Sequence, residues 1–166
     1  RGPEDELKMA SIGEVSNAQD ALRGEVVRLA RSWIGTPYRH RAAVKGAGCD
    51  CLGLVRGIWS ETVGPLGVEL PAYTPDWAEP SRREALRAAL EERLVARPFG
   101  EPEEGDVLLF RMREGAMAKH LGILICAGPA PAFVHAHVGP GVIESRLSPP
   151  WRRRLVARFA FPEGGQ

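Results

Sequence analysis

Cys51 lies in the segment of the sequence that is best suited to covalent chemistry. Residues Gly48–Val55 read GCDCLGLV, which places Cys51 in the first turn of a predicted helix and Asp50 at its N-cap position. Unpaired N–H groups and the helix dipole at such a position stabilise a thiolate, and the same N–H groups can hold an oxyanion. A cysteine there can also be a small apolar packing residue. The pattern makes Cys51 a candidate nucleophile.

Two histidines could serve this thiol as a base and as the group that orients the base. His120 begins a predicted strand, and His135 lies near the end of the next one. If these strands form a hairpin, the two imidazoles can lie side by side at its open end, where one fixes the tautomer of the other. His137 shares a strand face with His135 and competes for the orienting role. We interpret His40, which lies in a basic loop, as solvated.

A metal site is the alternative use of the same side chains. Cys49, Cys51, His120 and His135 are thiols and imidazoles, the ligand types that zinc prefers. The Cys-x-Cys spacing is tighter than the usual gap between zinc-binding cysteines, which argues against this alternative. A thiol hydrolase does not need Cys49, which would then be a packing residue.

The elements that position these residues are predicted as helices followed by strands. Hydrophobic periodicity predicts helices at Ala18–Trp33, at 51–63 and, after a capping-box pattern of Ser81 and Glu84, at 86–94. Runs rich in Val, Ile, Leu and Phe predict five strands: Asp106–Met112, His120–Cys126, Ala132–His137, Val142–Leu147 and Arg154–Phe161. This order indicates an α+β fold, with N-terminal helices packed on a five- or six-stranded antiparallel sheet.

Length and composition indicate one globular domain. A chain of 166 residues, 44% of them hydrophobic, suffices for a single core. The balance of 22 Lys and Arg against 21 Asp and Glu argues against a nucleic-acid partner. No apolar run is long enough to cross a bilayer, and the polar first 16 residues lack the apolar block of a secretory signal. We therefore expect no membrane insertion, and synthesis in the cytoplasm without a signal peptide.

We expect this domain to span residues 17–162. Residues 1–16 would form a flexible N-terminal tail, part of which we expect to be a tag with Met9 as a candidate native start, and residues 163–166 a C-terminal tail. Three cysteines are too few for a disulfide framework, so we expect reduced thiols. We assign Trp77 and Trp151 to the core, because large aromatic side chains are usually well buried.

Five motifs occur in a fixed order along the chain: Trp33–Tyr38 (WIGTPY), Asp50–Val55 (DCLGLV), Gly105–Phe110 (GDVLLF), His120–Ile123 (HLGI) and Val134–Ala136 (VHA). This series resembles the NlpC-type cell-wall cysteine peptidases of the NlpC/P60 superfamily, over nearly the whole chain. Two sequence motifs, GCDCLGLV at Gly48–Val55 and WRRR at Trp151–Arg154, most resemble those of the subgroup encoded with phage tails and gene transfer agents.

The resemblance implies a circularly permuted papain-like fold without a cofactor. It also implies hydrolysis of peptidoglycan stem peptides through a thioester, commonly between D-γ-glutamate and the following diamino acid. Carried over by residue, Cys51 is the nucleophile, His120 the base and His135 the orienting third member. Tyr38 would bind substrate or shape the oxyanion site, and Asp50 would recognise the free amine of the stem peptide.

Two departures from the family pattern bear on the substrate and on the third member. Leu52 stands where many members have serine, and the segment 128–132 lengthens the loop between the two histidine strands.

A peptidoglycan amidase or an acyltransferase of the same fold stays an alternative, as does a structural, zinc-binding particle component. The resemblance implies assembly with phage-tail or gene-transfer-agent tail proteins into a particle that acts on the cell wall.

Overall fold

The computed structural model describes residues 2–64, 85–113, 115, 116 and 118–163, and within them the chain forms four helices and eight strands. The helices are α1 (Pro3–Ser32), α2 (Cys51–Thr62), α3 (Ala85–Arg93) and α4 (Pro149–Arg154). The strands are β1 (Ala43–Val44), β2 (Gly48–Cys49), β3 (Val95–Arg97), β4 (Val107–Arg111), β5 (Ala118–Cys126), β6 (Ala132–His137), β7 (Gly141–Arg146) and β8 (Leu155–Ala160).

Six strands form one antiparallel sheet in the order β3-β8-β4-β5-β6-β7, and β1 pairs with β2 in a separate ribbon. The five predicted strands coincide with β4 to β8 within two residues at each end. The sixth strand, β3, was not predicted, because its three exposed residues carry no alternating pattern. The α+β prediction with a five- or six-stranded antiparallel sheet is confirmed.

The sheet is buried on both faces. Val107 and Leu109 of β4 belong to the larger apolar cluster, which also contains buried residues of α1, α2 and α3. Leu108 and Phe110 alternate with them and belong to a second cluster, against which Trp151 of α4 packs. Successive strand residues point to opposite faces, so the large helices cover one face of the sheet and α4 lies on the other.

The close approach of α1 to α2 depends on Gly57. Trp33, at the end of α1, is almost fully buried, and its indole N–H donates to Glu61 at 3.1 Å. A Cβ added to Gly57 would lie 2.1 Å from the Trp33 ring, so a larger residue there would force the helices apart. This contact fixes α2, and with it the N-terminus that carries Cys51.

The first helix is longer than the sequence predicted. It begins at Pro3 instead of Ala18, so the tail expected over residues 1–16 is helical from Pro3 onward. Proline at the first helical position and acidic residues in the first turn favour this start. Hydrophobic periodicity did not predict it, because residues 2–8 are exposed and form no buried apolar stripe. In the described part of the chain no helix, including α1, is long and apolar enough to span a bilayer.

A buried carboxylate, Asp106, joins three elements at the start of β4. Its two oxygens each accept a 2.8 Å hydrogen bond from an arginine, Arg23 of α1 and Arg158 of β8. The backbone N–H of Glu103 donates a further bond of 2.8 Å. Gly105 has a φ of +89°, and a Cβ there would lie 3.0 Å from Arg23. Asp106 therefore ties α1 and β8 to the start of β4.

Some predictions fall outside the described residues. These are the assignment of Trp77 to the core and the capping box of Ser81 and Glu84. The amphipathic helix expected after them is confirmed by α3, whose Leu86 and Leu90 are buried.

Candidate active site

The N-terminus of α2 is fixed by Asp50, which the structure confirms as the N-cap. One carboxylate oxygen accepts from the Gly53 backbone N–H at 2.7 Å, and the other accepts from the Arg41 backbone N–H at 2.7 Å. Arg41 has a φ of +65°, a left-handed conformation that this bond helps to hold. Asp50 is almost fully buried. It therefore orients both the helix that carries Cys51 and the loop in front of it.

Gly53 allows that loop to lie directly against the helix. A Cβ at this position would lie 1.8 Å from the backbone carbonyl oxygen of Ala42. Glycine is therefore needed at this position, because any side chain would collide with the Ala42 carbonyl.

The Cys51 thiol is partly buried and lies on the backbone of β5. Its Sγ is 3.8 Å from the Lys119 carbonyl oxygen, and the Leu121 backbone N–H is near enough to the sulfur to lower the pKa of the thiol. The sulfur thus lies beside the chain on both sides of His120. Among the hydrogen bonds between described residues, none joins the thiol to a ring nitrogen of His120. Catalytic hydrogen bonds are often formed only when substrate is bound.

The thiol is neutral in the free protein. Burial and, to a smaller extent, the negative charge of Asp50 raise the pKa of Cys51 to about 12. The backbone N–H groups of Leu121, Leu52 and Cys51 lower this pKa, because they stabilise the thiolate, but they do not offset burial. The resting state is therefore a thiol whose sulfur already faces the donors that would stabilise its anion.

Tyr38 lies beside the thiol on a segment held against β2. The Arg39 N–H donates to the Cys49 carbonyl, and the Cys49 N–H donates to the Pro37 carbonyl, both at 3.0 Å. Burial, with smaller contributions from negative charge on Cys51 and Asp50, raises the pKa of the half-buried Tyr38 phenol to about 12. Tyr38 is therefore a neutral hydroxyl donor near the sulfur.

The two predicted histidines are in direct contact. β5 and β6 form the expected hairpin, and His120 Nε2 is 2.8 Å from His135 Nδ1. The residues of the longer loop lie at the closed end of this hairpin, away from the histidines. His137 lies on the same face as His135 but is exposed, and its Nδ1 is 2.9 Å from the Val138 carbonyl oxygen. The contact with His120 is made by His135.

Both imidazoles of the pair are neutral at physiological pH. Burial, with smaller contributions from the neighbouring His135 and His137, lowers the pKa of His120 to about 3. Burial also lowers the pKa of His135 to about 4, with a smaller contribution from His137. A neutral imidazole has one unprotonated nitrogen and can accept a proton from a thiol.

Trp151 and Ser145 extend the site beyond the residues that the sequence indicated. The Trp151 ring packs in the second apolar cluster, as predicted, but its centroid is also 5.7 Å from His120 and 5.3 Å from His135. The Ser145 hydroxyl of β7 is 2.8 Å from His135 Nε2. Neither contact could be inferred from local sequence, because both depend on how β6, β7 and α4 pack.

The structure also bears on His40 and on the zinc alternative. His40, interpreted as solvated, is exposed, and its Nδ1 is 3.7 Å from an Asp50 oxygen. The zinc alternative is not supported, because no group of three or more His, Cys, Asp or Glu side chains in the described residues is arranged to hold a metal ion. Cys49 is fully buried in the larger apolar cluster.

The pH dependence of thiol reactivity follows from this neutral resting state. Only the thiolate reacts with iodoacetamide, and with a pKa of about 12 its fraction in Cys51 is small at pH 7. We expect the alkylation rate of Cys51, followed by mass spectrometry of its peptide, to rise about tenfold per pH unit from 7 to 10 without a plateau. N-acetylcysteine, an ordinary thiol, should level off above about pH 9. A plateau near neutral pH would instead indicate a thiolate–imidazolium pair.

Comparison with known proteins gives a family and a fold. The sequence profile of the NlpC/P60 family matches residues 35–159. No curated protein sequence matches the chain. The NlpC/p60 domain of the peptidoglycan hydrolase SagA is similar in structure, with a TM-score of 0.54 at 18% identity, covering 84% of this chain and 98% of that domain.

Two longer proteins are also similar in structure. A Staphylococcus aureus protein described as similar to lipoprotein, of the NLP/P60 family, has a TM-score of 0.52 at 20% identity, over 85% of this chain and 41% of that one. A Bacillus cereus NlpC/P60 family protein has a TM-score of 0.55 at 16% identity, over 82% and 39%. The chain thus spans about two fifths of the length of these two proteins.

These likenesses confirm the fold predicted from the sequence, the circularly permuted papain-like α+β fold. The matched region begins just before Tyr38 and contains Cys51, His120 and His135. Because the profile covers well over half of the sequence, the chain belongs to the NlpC/P60 family.

Proposed function

We propose that this protein is a cysteine peptidase that hydrolyses peptidoglycan stem peptides. One observation carries the proposal: the thiol at the N-terminus of α2 lies against the backbone on both sides of His120, whose ring is hydrogen-bonded to His135. Cys51 is the proposed nucleophile, His120 the base and His135 the group that orients the base. NlpC/P60 membership and the similar fold of the SagA domain, part of a peptidoglycan hydrolase, support this substrate class.

The proposed reaction proceeds through a thioester. The proton of the Cys51 thiol passes to His120 while the sulfur attacks the amide carbonyl, because neither the thiolate nor the imidazolium is stable in the resting site. Since His120 Nε2 is bonded to His135, the proton is taken by Nδ1. Backbone N–H groups of Cys51 and Leu52 stabilise the oxyanion. His120 then protonates the leaving amine, and it activates the water that cleaves the thioester.

We further propose the bond between D-γ-glutamate and the diamino acid as the site of cleavage. The neutral hydroxyl of Tyr38 is the proposed donor to the substrate. Asp50 is the proposed source of attraction for the free amine of the stem peptide. Because both of its oxygens accept backbone hydrogen bonds, we propose that Asp50 acts through its charge from beneath the surface.

Product analysis tests this proposal against the amidase alternative. Purified peptidoglycan is digested with the protein, and the released fragments are read by mass spectrometry beside a sample without protein. We expect new D-γ-glutamyl termini. Cuts next to muramic acid would show an amidase. Transfer of the acyl group to an added amine would show an acyltransferase. The absence of new fragments would contradict hydrolysis.

We also propose that the protein acts on the cell wall as part of a phage-tail-like or gene-transfer-agent particle. The proposal is supported by the amino-acid sequences of Gly48–Val55 and Trp151–Arg154. The second segment is part of α4, which lies beside the histidines. Cosedimentation of the protein with such particles from the producing cells is the expected result. Its recovery only in fractions without particles would contradict the proposal.

A further inference from the structure

Ser145 completes a chain of hydrogen bonds that begins at His120. His120 Nε2 and His135 Nδ1 are 2.8 Å apart, and His135 Nε2 and the Ser145 hydroxyl are also 2.8 Å apart. Ser145 is the partner of Phe133 in the β6–β7 register, so its side chain points to the face that Phe133 and His135 share. The hydroxyl is thus diagonal to His135 across the strand pair, within reach of its ring.

The direction of this chain decides whether His120 can act as a base. A neutral imidazole carries one N–H, so the two bonds can run in only two ways. If His120 Nε2 donates to His135, then His135 Nε2 donates to Ser145 and His120 Nδ1 is unprotonated. If Ser145 donates to His135, then His135 donates to His120, whose Nδ1 must carry the proton. Only the first arrangement leaves His120 Nδ1 able to take the thiol proton.

The reaction itself selects the first arrangement. When His120 becomes imidazolium, both of its nitrogens are donors, so His135 Nδ1 must accept. His135 then carries its proton on Nε2, where the Ser145 oxygen is the acceptor.

We propose that Ser145 is a positioning residue, which accepts the His135 Nε2 proton and so holds both histidines in the tautomers that make His120 a base. This inference rests on the proposed function, since it assigns a role in the same reaction.

The surroundings of the two side chains favour this direction. His135 is only 1% exposed, so an Nε2 proton without an acceptor would leave a buried donor unsatisfied. Ser145 is half-buried, so its own proton can be donated to water while its oxygen accepts. The lowered pKa of His135 keeps its ring neutral, so that its tautomer, not its charge, is what Ser145 sets.

Nitrogen NMR of the wild-type protein tests the assignment without any substrate. In a ¹⁵N-labelled sample at neutral pH, we expect His120 and His135 both to be protonated at Nε2 and unprotonated at Nδ1. Protonation of either ring at Nδ1 would overturn the proposal. The spectrum of Ser145→Ala should show His135 in a mixture of both tautomers. An unchanged tautomer in that variant would also overturn the proposal.

Kinetics of the same variant supply a second test. We expect Ser145→Ala to lower kcat about 10- to 100-fold with little change in KM, because substrate contacts are untouched. Ser145→Thr keeps a hydroxyl in a strand and should restore most of the rate. The control Ser60→Ala removes an exposed helix serine that donates to the Arg56 carbonyl, and it should match the wild type. A wild-type rate in Ser145→Ala would overturn the proposal.

The two experiments separate this inference from the proposed function. If the wild type shows the expected tautomers but releases no peptidoglycan fragments, the proposed function fails and the positioning by Ser145 stands. If the wild type hydrolyses peptidoglycan but its tautomers do not depend on Ser145, the proposed function stands and this inference fails.

Discussion

Replacing Cys51 by alanine is expected to abolish peptidoglycan hydrolysis while the protein keeps its fold. The variant lacks the sulfur that forms the thioester, so the rate should fall by at least about 10⁴-fold. The free energy of unfolding should change by less than about 1 kcal/mol, because the thiol is partly exposed and makes only weak hydrogen bonds to the β5 backbone. Fragment release by mass spectrometry and denaturant unfolding measure the two quantities.

The other two cysteines are matched controls for this variant. Cys126→Ala removes a half-exposed thiol at the end of β5 and should leave the rate unchanged. Cys49→Ala removes a fully buried thiol next to the site, and it should lower stability without removing activity. Hydrolysis that survives in Cys51→Ala would contradict the proposed nucleophile. Zinc bound by the wild type and lost together with activity in Cys49→Ala would return the metal alternative.

Local patterns were sufficient to predict the elements that carry this site. Asp50 stands where the sequence predicts an N-cap, and it caps the start of α2 in the structure. Runs rich in Val, Ile, Leu and Phe predicted the strands of His120 and His135, and a hairpin between consecutive strands brings the start of one beside the end of the next. These features depend on residues close together in the chain, which a sequence displays directly.

The features that sequence analysis missed depend on distant residues. Ser145 reaches His135 only in the register that pairs Phe133 with Ser145, and a slip by one residue would turn the hydroxyl to the opposite face. Trp151 was correctly assigned to the core, yet its contact with His120 needs the fold of α4 back over β4 and β6. The same limit applies to Asp106, whose partners lie 83 and 52 residues away in sequence.

Replacing Asp106 by asparagine is expected to lower the free energy of unfolding more than the cysteine substitutions or Glu144→Gln do. The substitution keeps the size of the side chain but removes the charge that Arg23 and Arg158 share, and Arg158 is only 8% exposed. Removing one partner of a buried ion pair costs about 3–5 kcal/mol. That is a large part of the total stability of a domain of this size. The Glu103 carboxylate lies 3.6 Å from Arg23 and 3.5 Å from Arg158, but it is half exposed, so water screens its charge and it replaces little of what is lost. Urea unfolding, monitored by far-UV circular dichroism, measures the change.

Glu144→Gln is the matched control, because it removes an exposed ion pair between helix and sheet, whereas Asp106→Asn removes a buried one. Glu144 of β7 pairs with Arg31 of α1 at 3.2 Å, so it links the same helix to the same sheet, but both side chains are about half exposed. Exposed ion pairs contribute about 0–1 kcal/mol, because water screens the charges and the side chains lose entropy on pairing. If Asp106→Asn destabilised the protein no more than Glu144→Gln does, the buried carboxylate would not be what holds α1 and β8 to the start of β4. If Asp106→Asn costs several kcal/mol more than Glu144→Gln, then a buried acceptor, and not surface charge, joins α1 to the sheet that carries the histidines. This would explain why the fold needs the Gly105–Asp106 motif.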